Sequence, residues 1–278
     1  MAKQAFHDIF RAGSQTYFNS AVFLPSKVRG DVFVLYAFVR TADDFVDRLP
    51  QDKAALLNFR RDLVRAQAAE KTGNKVVDEF VKLMRRRSFH FEWIDAFLKS
   101  MEMDTFKQRY NTLAETQEYM YGSAEVVGLM MARILDLPDE ANYCAELLGR
   151  AMQYINFIRD IKEDLALGRV YLPMAELAAK GLDSLAEDRV ALQQETFCAF
   201  IKHQIKRYEE WQRQAEEGYK YISWRYLVPI RTAADMYRWT ARKIYQDPLI
   251  VYREKVKPSC LRIYMTLLLN LFKVLVGR

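Results

Sequence analysis

The chain has 278 residues, half of them apolar, with few glycines and prolines, three cysteines and a formal charge of +6. Such a composition excludes a disulfide-stapled secreted scaffold and a disordered or collagen-like chain, and it points to an all-α protein with one sizeable core. The positive balance fits an anionic partner (nucleic acid, anionic lipid or a phosphorylated small molecule) or simply a mildly basic surface.

In chain order, helical periodicity predicts elements over 5–19, 27–47, 53–69, 75–86, 89–103, 113–135, 139–165, 190–221, 230–245 and 259–276. Pro25, Pro50, Pro138, Pro173, Pro229, Pro248 and Pro258 fall at the joints. No low-complexity linker or internal repeat divides the chain, so one domain over 1–278 is expected. Charges interrupt the first residues too early for a signal peptide, and the cysteines show no CxxC spacing. A cytoplasmic, reducing setting is the expectation. The last element, 259–278, reads as an amphipathic helix too short to span a bilayer. It either packs on the core or touches a membrane surface.

Two of these helices are apolar almost all round yet carry a polar stripe. In 27–47 the stripe is Tyr36, Arg40, Asp43 and Asp47; in 139–165 it is Gln153, Asn156, Asp160 and Asp164. Steps of three and four keep each set on one face. An acidic i,i+4 pair often lies on a solvated helix face, but two such pairs inside apolar helices call for a cation between them. Packed antiparallel, the two faces would line a cavity of oxygen ligands suited to Mg²⁺ or Mn²⁺. Arg40, Arg159 and Arg169 would then grip phosphate oxygens. The implied guest is a metal diphosphate with a hydrocarbon tail.

The motifs carry a specific resemblance. Arg40 followed by Asp43-Asp44-Phe45-Val46-Asp47 resembles the first aspartate-rich motif of the squalene/phytoene synthase family. The stretch from Gln153 to Asp164, followed by Gly168-Arg169-Val170-Tyr171-Leu172-Pro173, resembles the second. Tyr119 to Gly128 and Ser14 to Phe18 resemble a tyrosine-rich helix and a substrate segment of the same family. The likeness implies an isoprenoid synthase-type bundle with a central cavity. It also implies Mg-dependent head-to-head coupling of two prenyl diphosphates through a cyclopropylcarbinyl diphosphate. Two geranylgeranyl diphosphates giving phytoene is the favoured version. Two farnesyl diphosphates giving squalene or dehydrosqualene is the other, with NADPH needed only for squalene.

By the same resemblance Asp43, Asp47, Asn156, Asp160 and Asp164 hold the metal. Ser14, Thr16, Tyr36, Arg40, Asp104, Tyr119, Gln153, Arg159, Arg169 and Tyr245 meet the substrates, and Tyr171 or released diphosphate handles a proton. Aromatic faces at Phe18, Tyr36, Tyr119, Tyr121 and Phe157 would shield a carbocation. Glu125 and Gln15 depart from the family pattern; a carboxylate at 125 is expected to face a metal or a neighbouring arginine. Rival readings are a non-catalytic scaffold of the same fold and a terpene cyclase. His7, His90 and His203 stand alone, without ExxH or HExxH, against a di-iron bundle or a zincin. Arg85-Arg86-Arg87 reads as a solvated helix end, and no nucleic-acid partner is expected.

Overall fold

A computed structural model describes residues 23–276, and these contain helices and no named strand. The predicted element over 5–19, with Ser14, Gln15, Thr16 and Phe18, lies outside the described residues. Helix α1, Ser26–Asp47, starts behind Pro25, whose missing N–H costs nothing at a helix start. Helices α2, Lys53–Gln67, α3, Lys75–Arg86, and α4, Phe91–Met103, follow. Asp52 and Asn74 cap α2 and α3 by accepting from the backbone N–H of Ala55 and Val77. Helix α5, Leu113–Met120, runs through a π-turn, Tyr121–Glu125, into α6, Val126–Ile134. The single element expected over 113–135 is therefore continuous but widened at Gly122, where a Cβ would stand 2.2 Å from the Ala96 carbonyl oxygen of α4.

After a 3₁₀ turn, Asp139–Ala141, helix α7 covers Asn142–Arg159 and α8 covers Ile161–Ala166. Asp160 bends between them without losing the ladder, since its N–H reaches the Asn156 carbonyl and its own carbonyl accepts from Asp164. Short helices α9, Met174–Ala179, and α10, Glu187–Ala191, follow, and the element expected over 190–221 is broken between α10 and the next helix. The long helix α11, Gln194–Glu216, ends in a 3₁₀ turn, Glu217–Tyr221. Helix α12, Trp224–Gln246, begins earlier than expected and keeps Pro229 inside it. Only one N–H is lost there, close to the helix start, and Pro229 faces a cavity. Helices α13, Ile250–Arg253, and α14, Cys260–Val276, close the chain.

The core forms two apolar clusters. One gathers α7, α11 and α12 around Tyr154, Phe197, Phe200 and Tyr208. The other gathers α1 to α4 and α6 around Phe38, Phe59, Phe80 and Phe97. The arginines 85–87 are not merely solvated. Arg86 and Arg87 both grip Asp31, and Arg85 donates to the last carbonyls of α2 at Ala66 and Gln67. Among the described residues no helix is long and apolar enough to cross a membrane.

Candidate active site

A cavity of about 620 Å³ lies between the two clusters. Both polar stripes line it: Tyr36, Arg40, Asp43 and Asp47 from α1, and Gln153, Asn156, Asp160 and Asp164 from α7 and α8. Asp104, Tyr119, Arg159, Arg169 and Tyr171 join them. The expected antiparallel packing does not hold. Arg169 donates its main-chain N–H to the Asp164 carbonyl at 2.8 Å and its guanidinium to Asp47 at 2.9 Å, so the C-terminal ends of the two stripes meet at the same end of the cavity. Each helix packs on its own cluster, and the stripes face each other across open space rather than across a helix seam.

The two halves differ in charge balance. On α1, Arg40 pairs with Asp44 at 2.6 Å, not with Asp43. Among the described residues no cation pairs with Asp43. Burial, and then the neighbouring Asp47, push its carboxyl well above the usual range. On α7, Arg159 forks onto Asp160 at 2.8 and 2.5 Å, and Lys255 reaches Asp160 at 3.2 Å and Glu163 at 2.8 Å. Burial works against ionisation of Asp160, but these cations outweigh it and hold the carboxyl below its ordinary value. At Asp164 the balance goes the other way: burial, Asp160 and Asp47 drive it far up, and Arg169 offsets only part of this. The carbonyl oxygen of the Asn156 side chain is buried without a partner.

Arg169 ties the halves together. Its guanidinium donates to Asp47 at 2.9 Å, to the Val46 carbonyl at 2.5 Å and to the Tyr171 hydroxyl at 3.2 Å. Asp104 accepts from Tyr119 at 2.6 Å and from Tyr171 at 2.7 Å. Burial dominates its environment, and despite Arg169 and both hydroxyls its carboxyl is pushed up to about 6. Phe157 stacks on Tyr171 with centroids 4.3 Å apart, and Tyr119 lies 4.9 Å from the same ring. These rings form an aromatic wall beside the carboxylates.

Two expected residues are elsewhere. Tyr245 is more than a third exposed at the end of α12, with Lys202 over its ring, and does not line the cavity. Two turns earlier on the same helix, Tyr237 does. Tyr121, in the π-turn, is likewise exposed and does not line the cavity. Glu125 meets the neighbouring arginine of the two alternatives: Arg150 grips it at 2.7 and 2.9 Å. Sequence reasoning also missed Glu163, Lys255 and Lys257, all on the cavity wall. Glu163 falls within the second motif. The two lysines lie in a Lys-Val-Lys-Pro segment whose position depends on tertiary packing alone.

Carboxylates converging at one end of an otherwise greasy chamber agree with a family match that covers residues 10–262 and is described as squalene/phytoene synthase. The chain belongs to that family. A 15-cis-phytoene synthase of Enterobacter agglomerans is 31% identical over 254 residues, 84% of this chain and 83% of the relative. One from Synechococcus elongatus is 27% identical over 87% of this chain and 83% of its own. Among solved structures, a dehydrosqualene synthase in complex with ligand superposes with a TM-score of 0.86 at 23% identity, over 100% of this chain and 97% of that one. A squalene synthase from Alicyclobacillus acidocaldarius gives 0.79 at 22% identity, over 90% and 94%. The protein is a prenyltransferase of the squalene/phytoene synthase family, joining prenyl diphosphates head to head.

Proposed function

We propose that this synthase joins two geranylgeranyl diphosphates to phytoene and depends on Mg²⁺, with Mn²⁺ as the alternative ion. The product follows the names of relatives similar to it in sequence. The observation that carries the metal is the charge imbalance. Asp43 and Asp164 are buried among like charges, and a buried Asn156 oxygen lacks a partner. Among the described residues no three acidic, histidine or cysteine side chains close into a tight metal site. An open arrangement of this kind suits Mg²⁺, which keeps waters and shares phosphate oxygens. Asp43 and Asp47 would hold it on one side, and Asn156, Asp160 and Asp164 on the other. When bound, it supplies positive charge against the leaving diphosphate.

The remaining chemistry belongs to the side chains. Arg40, Arg159, Lys255 and Lys257 add fixed positive charge around the diphosphates. Tyr36 and Gln153 lie on the stripes between these groups and the apolar part of the cavity and orient the first carbons. Tyr119, Phe157 and Tyr171 present ring faces to the allylic cation, each worth about 0.5–2 kcal/mol. The Tyr171 hydroxyl donates to Asp104, so it can accept a substrate proton only by passing its own to that carboxylate. Released diphosphate is the other acceptor. Phytoene formation ends in proton loss and needs no reductant; NADPH would enter only for squalene. Ser14 and Thr16 remain proposed substrate contacts in the segment outside the described residues.

We further infer a cytoplasmic enzyme that rests on an anionic bilayer through α14. Leu261, Met265, Leu268 and Phe272 are exposed there, and residues 255–276 carry Lys255, Lys257, Arg262 and Lys273 with no acidic side chain. Co-sedimentation with phosphatidylglycerol vesicles tests this, and a protein that stays in the supernatant overturns it. For the reaction, purified protein with Mg²⁺ and labelled geranylgeranyl diphosphate should release diphosphate and give a C40 hydrocarbon by mass. No release from either C15 or C20 diphosphate would favour a scaffold, and a cyclic C20 product would favour a cyclase.

A further inference from the structure

The Asp160 carboxylate is crowded with cations. Its Oδ1 accepts from the Arg159 Nε–H at 2.8 Å and from the Lys255 ammonium at 3.2 Å, and its Oδ2 accepts from the other arm of the same guanidinium at 2.5 Å. A carboxylate offers about four lone-pair positions, so these donors nearly fill it. The two cations differ in freedom. Arg159 is the adjacent residue, its side chain is 16% exposed, and its planar fork matches both carboxylate oxygens. Lys255 comes from the helix-free segment between α13 and α14; its side chain is 37% exposed, and it divides itself between Asp160 and Glu163, the latter at 2.8 Å. The next residue, Val256, is buried in the cluster of α7, α11 and α12. That anchor fixes the segment against the cavity wall and leaves the four-carbon stem of Lys255 to swing about it. On the other side of the anchor, Lys257 also lines the cavity but meets Asp160 and Glu163 through space, without a hydrogen bond to either.

Asp160 is also one of the groups assigned to the metal, beside Asn156 and Asp164. A divalent ion and an ammonium sharing one carboxylate repel each other, and the more so where burial lowers the local dielectric. Of the two cations on Asp160, Lys255 is the one that can leave. Once off that carboxylate it keeps Glu163 on one side and faces the cavity on the other, where the diphosphate oxygens are placed. We propose that Lys255 is an exchangeable counter-ion: it holds Asp160 before substrate binds, yields that carboxylate to the metal and pairs with a diphosphate oxygen instead. The exchange couples the two ligands. A metal ion binding alone displaces the ammonium with only Glu163 to receive it, whereas a metal ion binding with diphosphate gives the ammonium a new anion, and each ligand must strengthen the other by the same factor. The inference rests on the metal assignment made above.

The test reads binding and requires no turnover. Mn²⁺ is titrated into the parent and into Lys255→Gln and Lys257→Gln, each checked for native melting, and bound ion is measured as loss of the free-ion electron paramagnetic resonance signal. Lys255→Gln should bind Mn²⁺ alone at least ~5-fold more tightly than the parent, because the competitor for Asp160 is gone. With Mn²⁺ saturating, the same variant should bind inorganic diphosphate at least ~5-fold more weakly by calorimetry, because the ammonium that pairs with it is gone. Opposite signs from one substitution are not expected of a lysine that merely holds its loop in place. Lys257→Gln should gain far less Mn²⁺ affinity. A smaller gain in Lys255→Gln, no loss of diphosphate affinity, or an equal gain in Lys257→Gln, which would mark an effect of net charge alone, overturns the exchange. Lys255→Met carries the same expectations should the glutamine variant melt early. If neither the parent nor the Lys255 variants take up Mn²⁺, the metal assignment itself fails and the exchange with it; if the parent binds and only the opposed shifts are missing, the exchange alone fails.

Discussion

The two acidic stripes look alike in sequence and are unlike in the folded protein. In the α7 stripe Asp160 has counter-ions from its own motif and the nearby loop, Arg159 and Lys255, while Asp164 stays raised by burial and its acidic neighbours. In the α1 stripe the held member is Asp47, gripped by the distant Arg169, whereas Arg40 is turned to Asp44 and Asp43 is buried beside Asp47. In each stripe one aspartate is settled before anything binds, and one, Asp43 or Asp164, is buried at a cost that a bound cation would remove. Preorganised charge of this sort loses some apo stability in exchange for binding strength.

The largest effect expected is on turnover. Asp43→Ala and Asp160→Ala should each lower kcat by a factor of ~10³ or more, of the size seen when a key electrostatic group is removed. Their apo stabilities should then part. The sequence treats the two aspartates alike and suggests unchanged or slightly raised stability for both. The structure predicts this for Asp43→Ala, where repulsion is relieved. Asp160→Ala should instead lose roughly 1–3 kcal/mol, because the buried Arg159 is left without its partner and Lys255 keeps only Glu163. Equal melting temperatures for the two variants would erase the distinction.

Arg169→Met comes next. It removes the buried group that joins Asp47, Val46 and Tyr171 and leaves Asp104 without its nearby cation. A loss of about 3–5 kcal/mol in urea unfolding is expected, the usual size for breaking a buried pair. Metal linkage follows. An acid whose folded pKa is raised holds its proton longer in the folded state than in the unfolded one. Apo stability therefore falls as pH rises from about 4 through the raised values of Asp104, near 6, and of Asp43 and Asp164. Added Mg²⁺ with inorganic diphosphate should raise the melting temperature clearly at pH 8 and little at pH 5. An identical shift at both pH values would mean these carboxylates are not the binding groups. Smallest is Tyr245→Phe, expected within twofold of the parent in kcat/KM, whereas Tyr237→Phe should lose several-fold.

Much of the site was legible because its signals are local. The spacing of Asp43 with Asp47, and of Asp160 with Asp164, needs only helical geometry, and an apolar setting around it implies burial. The orientation of the stripes was not legible. Antiparallel packing is the default for neighbouring helices joined by short loops, but α1 and α7 are separated along the chain by α2 to α6 and meet across space. The tyrosine on α12 was misplaced by two turns because Tyr237 and Tyr245 sit in similar helical sequence, and only packing against α7 and α14 decides which one is inside. Lys255 escaped notice for a related reason: a short lysine-rich loop says nothing about which carboxylate it will find. The π-turn could not be read either, since it arises from the close approach of α4 at Gly122.

Where α6 and α7 touch, they do so main chain to main chain. A methyl group at Gly128 would stand 2.2 Å from the Ala145 carbonyl oxygen, and one at Gly149 would stand 2.4 Å from that of Ala124. A seam of this kind contains no side-chain rotamers that can swing aside, so thermal fluctuation has little to open. On that flank the apolar arm is walled by the polypeptide backbone itself, which cannot swing aside as a side chain can.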